Sequence, residues 1–291
     1  MTQTSDPQRT VPTRRISFDA SLTDLPRHFA VHGNVILSHL AAGLSAVFPD
    51  GEDFFVRSVR HYRDQIADPV LKRQVAGFIG QEAMHGREHR ALNDRLDELG
   101  YPVKRIERLT KRGLAIRTRF APPIANLAAT AALEHFTATL AEVVLTDERA
   151  RAEFGHRGME HLFLWHALEE SEHKAVAFDV YKAVGGSERT RVWTMKGLRI
   201  GFILGMAVQT FVSMFLDRAT YRPSRLRRDW REFRRSPILQ PEVWRRLCDY
   251  DRPDFHPNDR DTTALVDEWR ARLFGDEGEL KDLLVAGTAA A

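Results

Sequence analysis

Two passages of the chain repeat one spacing of glutamate and histidine. Each has a lone glutamate followed, on a later segment, by a Glu-x-x-His motif. The residues are Glu52 with Glu82 and His85 in the first passage, and Glu134 with Glu170 and His173 in the second. Positions three apart lie on the same face of an α-helix, because each residue turns the helix by about 100°. Each motif therefore presents one carboxylate and one imidazole in the same direction.

Four helices that carry these residues can direct four carboxylates and two imidazoles toward a common axis. This is the donor set of di-iron and di-manganese carboxylate bundles. Four carboxylates offset the repulsion between two divalent cations, and mixed oxygen and imidazole donors suit iron or manganese and, less selectively, zinc. A single Glu-x-x-His motif on a charged helix is usually solvated, but the repeat favours a metal site. We predict two iron ions, with manganese or zinc as alternatives, and assign the six residues as metal-binding and catalytic.

Two further histidines fall in register with the motifs. His89 lies seven residues after Glu82, and His166 lies four residues before Glu170. Each adds a donor to the same helical face, either as an additional ligand or as a residue that orients a ligand from behind.

The other acidic and histidine residues nearby have less specific spacing. Glu169 could replace the glutamate that follows it as the ligand. Glu172 points to another face and is expected to be solvated or paired with Lys174. His135 is expected to be a core or surface histidine, and His256 a turn histidine.

Most of the chain is predicted to be helical. Glycine and proline cluster at a few junctions, and no stretch alternates polar and apolar residues as a half-buried strand would. Helices are predicted over 29–47, 52–66, 70–99, 104–119, 124–146, 158–184 and 262–274, with the first ended by Phe48-Pro49-Asp50-Gly51. The six residues of the two passages then lie on four different helices.

Residues 200–216 form an uncharged segment of 17 residues, at the lower length limit for a helix that crosses a bilayer. Gly197, Gly201 and Gly205 would share one face and permit close helix contact. The segment 217–246 that follows has ten arginines and four acids, a net charge of +6, whereas the whole chain has +3. Two interpretations are open. One is a helix at the membrane surface or at the entrance for a lipid-like substrate, and the other is a buried helix that packs through its glycines.

Several strings of the sequence resemble a known family. They are PDGEDFFVRSVRHYRDQIADP, FIGQEAMHGREH, LEHFTA, WHALEESEHKAVAFDVY and RPDFHPND. Over residues 29–273 the chain is similar to bacterial proteins described as predicted metal-dependent hydrolases. The His-x-x-x-Glu-x-x-His string of residues 166–173 is also similar to that of di-iron N-oxygenases that oxidise aryl amines. This second similarity implies that His166 is a direct ligand. His89 has only its helical register in its favour and is expected to orient a ligand.

These observations predict an all-α protein. It would be a ferritin-like four-helix bundle with a dinuclear metal centre and additional C-terminal helices. The predicted parts are a disordered or extended N-terminus (1–24), the metal-binding bundle (25–190), the apolar glycine-rich helix packed on the bundle or on a membrane (191–216), and a basic helical extension of the same domain (217–291).

The donor set favours a di-iron oxygenase or oxidase that acts on an apolar or amphipathic organic substrate. A metal-dependent hydrolase is the alternative, because two metals can generate a hydroxide nucleophile and polarise a carbonyl or phosphoryl group. A non-catalytic ferritin-like metal-binding protein is the third interpretation.

The expected partners follow from the same features. They are a small lipid-like molecule, dioxygen and an electron donor for an oxygenase, a membrane surface, and a second copy of the chain in a homodimer. Nucleic acid is not expected, since the aromatic residues of 217–246 do not alternate with the arginines in a recognised motif. The single cysteine, Cys248, and the polar first fifteen residues favour the cytoplasm, with the inner membrane surface as a further location.

Overall fold

The computed structural model of the chain describes residues 11–285. Among these residues the regular structure is helical, apart from an isolated bridge between Ile16 and Leu284. The helices are α1 (Val35–Arg60), α2 (Pro69–Glu98), α3 (Val103–Phe120), α4 (Pro123–Thr146), α5 (Glu148–Ala152), α6 (Arg157–His173), α7 (Val176–Ala183), α8 (Glu188–Phe215), α9 (Pro223–Phe233), α10 (Pro241–Asp249) and α11 (Thr263–Phe274). The prediction of an all-α protein is confirmed.

Four helices, α1, α2, α4 and α6, form the centre of the molecule and are called the central helices below. α1 packs against α2 and α4, and α6 packs against α4 and α2. α8 covers the α1 and α4 side, whereas residues 11–18 and α11 cover the α2 and α6 side. Two clusters of buried apolar side chains lie between these layers, one around Phe78 and Tyr181 and the other around Leu92 and Trp165.

The predicted break at residues 48–51 does not occur, and α1 is one continuous helix through Pro49. A proline inside a helix leaves the carbonyl four residues earlier without its usual donor. Here the Asn93 side chain donates to that carbonyl, on Ser45, at 3.2 Å. Because α2 supplies the missing hydrogen bond, Glu52 belongs to the same helix as the apolar residues before the proline.

The predicted helix over 158–184 is divided. α6 ends at His173, and α7 begins at Val176 after a turn at Lys174 and Ala175. The Lys174 ammonium donates to the carbonyl of Arg260 at 2.7 Å, which ties this turn to the C-terminal part of the chain.

Helix α8 is longer than the apolar segment predicted from the sequence, and only one of its faces is buried, against α1 and α4. Gly197, Gly201 and Gly205 have open space where a Cβ atom would lie, so they make no close helix contact. The interpretation of a helix buried through its glycines is therefore wrong. Among the described residues, α8 alone has the length and apolar composition to cross a membrane, and only 22% of its apolar window is buried.

The N-terminal segment lies against α2 at two glycines. A Cβ atom on Gly77 would lie 2.0 Å from the carbonyl oxygen of Val11, and one on Gly80 would lie 2.0 Å from Oγ1 of Thr13. Only glycine permits this approach. It brings Arg14 into the interior, where it is 6% exposed. The part of the prediction that concerns residues 1–10 lies outside the described residues.

Gly77→Ala tests the contact between the N-terminal segment and α2. Because the new methyl group would meet a backbone atom, we expect the free energy of unfolding to fall by about 1–3 kcal/mol. Gly113→Ala is the matched control, since Gly113 is in α3 with open space around it. The control should stabilise by about 0.5–1 kcal/mol. Equal melting temperatures for the two variants would show that residues 11–14 do not rest on α2.

Candidate metal centre

The central helices bring seven of the eight predicted metal-binding residues to one place. α1 supplies Glu52, α2 supplies Glu82 and His85, α4 supplies Glu134, and α6 supplies His166, Glu170 and His173. None of the seven is more than 4% exposed. On α6 the three donors are spaced by four and three residues, which places them along one face.

The donors form two adjacent groups. Glu52, His85 and His166 offer atoms that lie within 4.8 Å of one another, and so do Glu82, Glu170 and His173.

Glu170 lies between the two groups. Its Oε1 is 3.1 Å from Nε2 of His166, 3.5 Å from Nε2 of His173 and 3.7 Å from Nδ1 of His85. Glu134 joins the second group, with Oε2 3.3 Å from the same His173 nitrogen.

Most of the atoms that face the centre have no hydrogen-bond partner among the described residues; Nε2 of His166, which lies 3.1 Å from Oε1 of Glu170, is an exception. The atoms without such a partner are both carboxylate oxygens of Glu52, Glu82 and Glu134, Nδ1 of His85 and Nε2 of His173. A buried polar atom without a partner costs free energy, and a buried charge costs more, unless a cation or a donor compensates it. Unpartnered oxygen and nitrogen donors that converge in this way fit a bound metal ion.

The electrostatics of the carboxylates indicate the same need for a cation. Burial raises the pKa of Glu52, Glu82 and Glu134, and each is raised further by a neighbouring carboxylate. The pKa of Glu82 rises to about 8 and that of Glu134 to about 7. Burial would also raise the pKa of Glu170, but the adjacent His173 and His166 hold it well below its ordinary value. Among the described residues no lysine or arginine forms a salt bridge with any of the four.

The orientation of the His85 ring is fixed by a glutamate that is itself paired with an arginine. Nε2 of His85 lies 3.1 Å from Oε2 of Glu169, and Oε1 of Glu169 accepts from the Arg14 guanidinium at 3.0 Å. This leaves Nδ1 of His85 directed at the centre. Glu169 therefore does not replace Glu170 as a donor to the centre; it fixes the orientation of an imidazole.

His173 is held by a parallel arrangement. Its Nδ1 lies 2.8 Å from Oε1 of Gln81, and the Gln81 amide donates to Glu172 at 2.7 Å. Glu172 also accepts from Arg14 and Arg270. The expectation that Glu172 is solvated or paired with Lys174 is wrong. It is 1% exposed, because the N-terminal segment and α11 cover it and supply its cations.

His166 is held by His89. Nδ1 of His166 lies 2.7 Å from Nε2 of His89, and Nδ1 of His89 lies 2.9 Å from Oγ of Ser45, which donates to Asn93. His89 thus contacts the His166 ring at Nδ1, and Nε2 of His166 faces the centre. Both ring nitrogens of His89 are engaged by protein groups.

A cavity of about 440 Å³ extends from the centre toward the surface. Glu52, His166 and Glu170 of the centre line one part of this cavity, and Glu153 is a further ionisable residue in its lining. Most of its other lining is apolar, including Phe48 and Phe136. A molecule in this cavity would meet the metal-binding side chains at one end and hydrocarbon along its length.

The family comparison agrees with this site. A protein family described as "Predicted metal-dependent hydrolase" matches residues 12–261 of the chain. The chain belongs to this family. The match begins at the N-terminal segment that carries Arg14 and ends before Arg270, so it includes all of the donors and all of the supporting groups except Arg270. No curated protein and no solved structure matches the chain.

Sequence reasoning missed most of the supporting residues in this member of the metal-dependent hydrolase family. Gln81 directly precedes Glu82, and Glu169 directly precedes Glu170, so their positions beside a motif were available as a weak signal. Arg14 had no such signal, because nothing in its neighbourhood indicates contact with residues 155 positions away. His135 and His256 lie apart from the centre, bonded to the Arg246 carbonyl and to Asp179 respectively.

Glu82→Ala and Glu170→Ala test the donor assignment. We expect about two metal ions per chain in the unaltered protein and about one or none in either variant, because each change removes a carboxylate from the four-carboxylate set. Elemental analysis measures the number of metal ions per chain, and circular dichroism checks that the helices persist. Glu98→Ala, which changes an exposed acid on the same helix as Glu82, should keep the full content. Unchanged content in both site variants would show that the donors lie elsewhere.

His166→Ala and His89→Ala separate a ligand from the group that orients it. Loss of His166 should reduce the stoichiometry to about one ion. Loss of His89 should leave two ions at saturation but weaken binding by about 10- to 100-fold. Competition with a chelator of known affinity distinguishes the two results. If His89→Ala lost an ion and His166→Ala did not, the roles would be reversed.

Proposed function

We propose that the chain is a dinuclear metal enzyme that hydrolyses an acyl bond next to an apolar group. In this proposal the central helices form a ferritin-like four-helix bundle, and the carboxylates and imidazoles of the two groups, with Glu134, would hold two metal ions. The observation that carries it is the set of buried carboxylate and imidazole atoms without partners, which face one point from four helices. The membership of the metal-dependent hydrolase family favours hydrolysis as the reaction.

Two divalent ions held by these donors would polarise a carbonyl oxygen and lower the pKa of water. The protein groups around them hold the geometry. Arg14, Gln81 and His89 fix the three imidazoles through the contacts described above, and the Thr137 hydroxyl donates to Oε2 of Glu170. These contacts leave the donor atoms free to face the ions.

The cavity supports an apolar substrate. Leu44, Phe48, Phe55 and Phe136 line it along with other apolar residues, and these side chains would bind a hydrocarbon chain and exclude bulk water. A charged or highly polar substrate would lose its hydration there without compensation. We therefore expect the apolar part of the substrate to lie in the cavity and its acyl bond to lie near Glu52 and Glu170.

A second candidate is oxidation of an apolar substrate with dioxygen, which would need an electron donor. The observation that favours it is the donor set, four carboxylates with three histidines in an apolar interior, which suits iron. Storage of metal without turnover is the third candidate, and a cavity that joins the donors to the surface gives it no particular support.

Esters of p-nitrophenol with acyl chains of increasing length test hydrolysis. We expect the protein loaded with iron, manganese or zinc to release nitrophenol, with kcat/KM rising as the acyl chain fills the cavity. Leu44→Glu should lower kcat/KM for the ester with the longest acyl chain by about tenfold or more, because a charged side chain in the cavity wall disfavours binding of a hydrocarbon chain. It should change kcat/KM for p-nitrophenyl acetate far less. Chelation should abolish both activities.

Oxygen uptake distinguishes the candidates. If the reduced iron-loaded protein consumes dioxygen and hydrolyses none of the esters, the second candidate replaces the first. If it does neither while it binds two ions, the protein is a metal-binding protein without these activities.

A further inference from the structure

Helix α8 exposes an apolar face of unusual extent. Phe211 is 70% exposed, Val208 62%, Phe215 62% and Leu204 59%. The helix carries no charge from Ile200 to its end at Phe215. Contiguous apolar surface of this kind usually marks an interaction site.

The opposite face of α8 is bonded to the rest of the protein. His39 of α1 contacts Ser213 at 2.7 Å, and Gln209 donates to the carbonyl of Gly43 at 3.2 Å. Arg199 donates to Leu247 and pairs with Asp251 at 2.9 Å. A helix that crosses a bilayer would be apolar all round or packed on other spanning helices. α8 instead has one bonded face and one apolar face, which suits a helix lying in the plane of a membrane surface.

Helix α3 supplies a second exposed surface with positive charge. Leu109, Ile116 and Phe120 are 58%, 61% and 76% exposed. Between Val103 and Phe120 there are seven basic residues and one acid, a net charge of +6. Exposed apolar side chains flanked by lysine and arginine are the composition of helices that bind anionic lipid surfaces.

The two helices border the same cavity. Thr110 and Leu114 of α3 line it, and so do Gly201 and Gly205 of α8. Both glycines are exposed as well as cavity-lining, and a Cβ atom on either would meet nothing within 4 Å. Since these positions lack side chains, the cavity opens beside the apolar face of α8.

We propose that α3 and α8 bind the protein to a bilayer containing anionic phospholipid, and that the chain of a lipid enters the cavity across the surface of α8 at Gly201 and Gly205. The surface part of this proposal stands on the exposed face and the charge of α3. The identification of the substrate as lipid-derived rests on the proposed function. Lysines and arginines would contact phosphate groups while Val208 and Phe211 enter the acyl region.

Flotation with vesicles tests the surface. At low salt the full chain should float with phosphatidylcholine vesicles that contain about 30% phosphatidylglycerol and should float much less with pure phosphatidylcholine. Binding should decrease at about 0.5 M salt, because screening weakens the charge contribution. The double variant Val208→Glu with Phe211→Glu should bind the anionic vesicles at least about tenfold more weakly. Val285→Glu is the control, an exposed apolar residue at the Arg15 side of the molecule, and should bind normally.

The same variants also define the results that would contradict membrane binding by α3 and α8. If the unaltered protein stays with the soluble fraction at low salt and sediments as a dimer that the double variant dissociates, the face binds a second copy of the chain instead of lipid. If it floats equally with both vesicle types and the double variant floats as well, the assignment of the surface to α3 and α8 is wrong.

Binding of cis-parinaric acid, a fluorescent fatty acid, tests the opening separately from any turnover. Gly205→Phe should weaken its binding by about tenfold, because the new ring would cover the cavity. Gly197→Phe is the matched control: Gly197 is exposed on the same helix with open space around it, and it does not line the cavity. Equal affinity of the two variants would overturn the proposed entrance, whereas failure of ester hydrolysis alone would leave it standing.

Discussion

Four carboxylates buried at one point, with no arginine or lysine paired to them among the described residues, are the constraint that governs this structure. Two divalent cations would neutralise four such charges, and without them burial favours the protonated forms of Glu52, Glu82 and Glu134 by raising the pKa of each. The raised pKa values of Glu82 and Glu134 express this constraint.

The two glutamates that contact the supporting side of the centre, by contrast, are paired with arginines. Glu169 and Glu172 are equally buried, but both pair with Arg14, and Arg270 also contacts Glu172. The chain thus supplies arginines to the supporting acids, whereas among the described residues the inner four carboxylates have histidines beside them and no arginine or lysine paired to them. Pairing with arginine therefore distinguishes the two supporting acids from the inner four. Burial does not distinguish them, because all six acids are almost fully inaccessible to solvent.

The convergence of the two Glu-x-x-His pairs could be predicted from sequence because the spacing within each pair depends on local helix geometry. The spacing of Glu82 and His85, and of Glu170 and His173, follows from the pitch of a helix. The supports depend on tertiary contacts, for which the sequence gives a weak local signal at His89, Gln81 and Glu169 and none at Arg14. Pro49 shows the same limit: a proline normally interrupts a helix, but Asn93 from another helix supplies the lost hydrogen bond. The exposure of α8 was likewise undetermined, since glycines at four-residue spacing are compatible with tight packing and with an open surface.

Anomalous X-ray diffraction at the absorption edge of the bound metal tests the central claim most directly. Crystals grown with iron, manganese or zinc should show two anomalous peaks between the central helices. Nδ1 of His85 and Nε2 of His166 and His173 should lie about 2.0–2.3 Å from a peak, as metal-bound imidazoles do. Crystals that contain the metal but show no peak among these donors, with the four carboxylates hydrogen-bonded to one another or to water, would contradict the account.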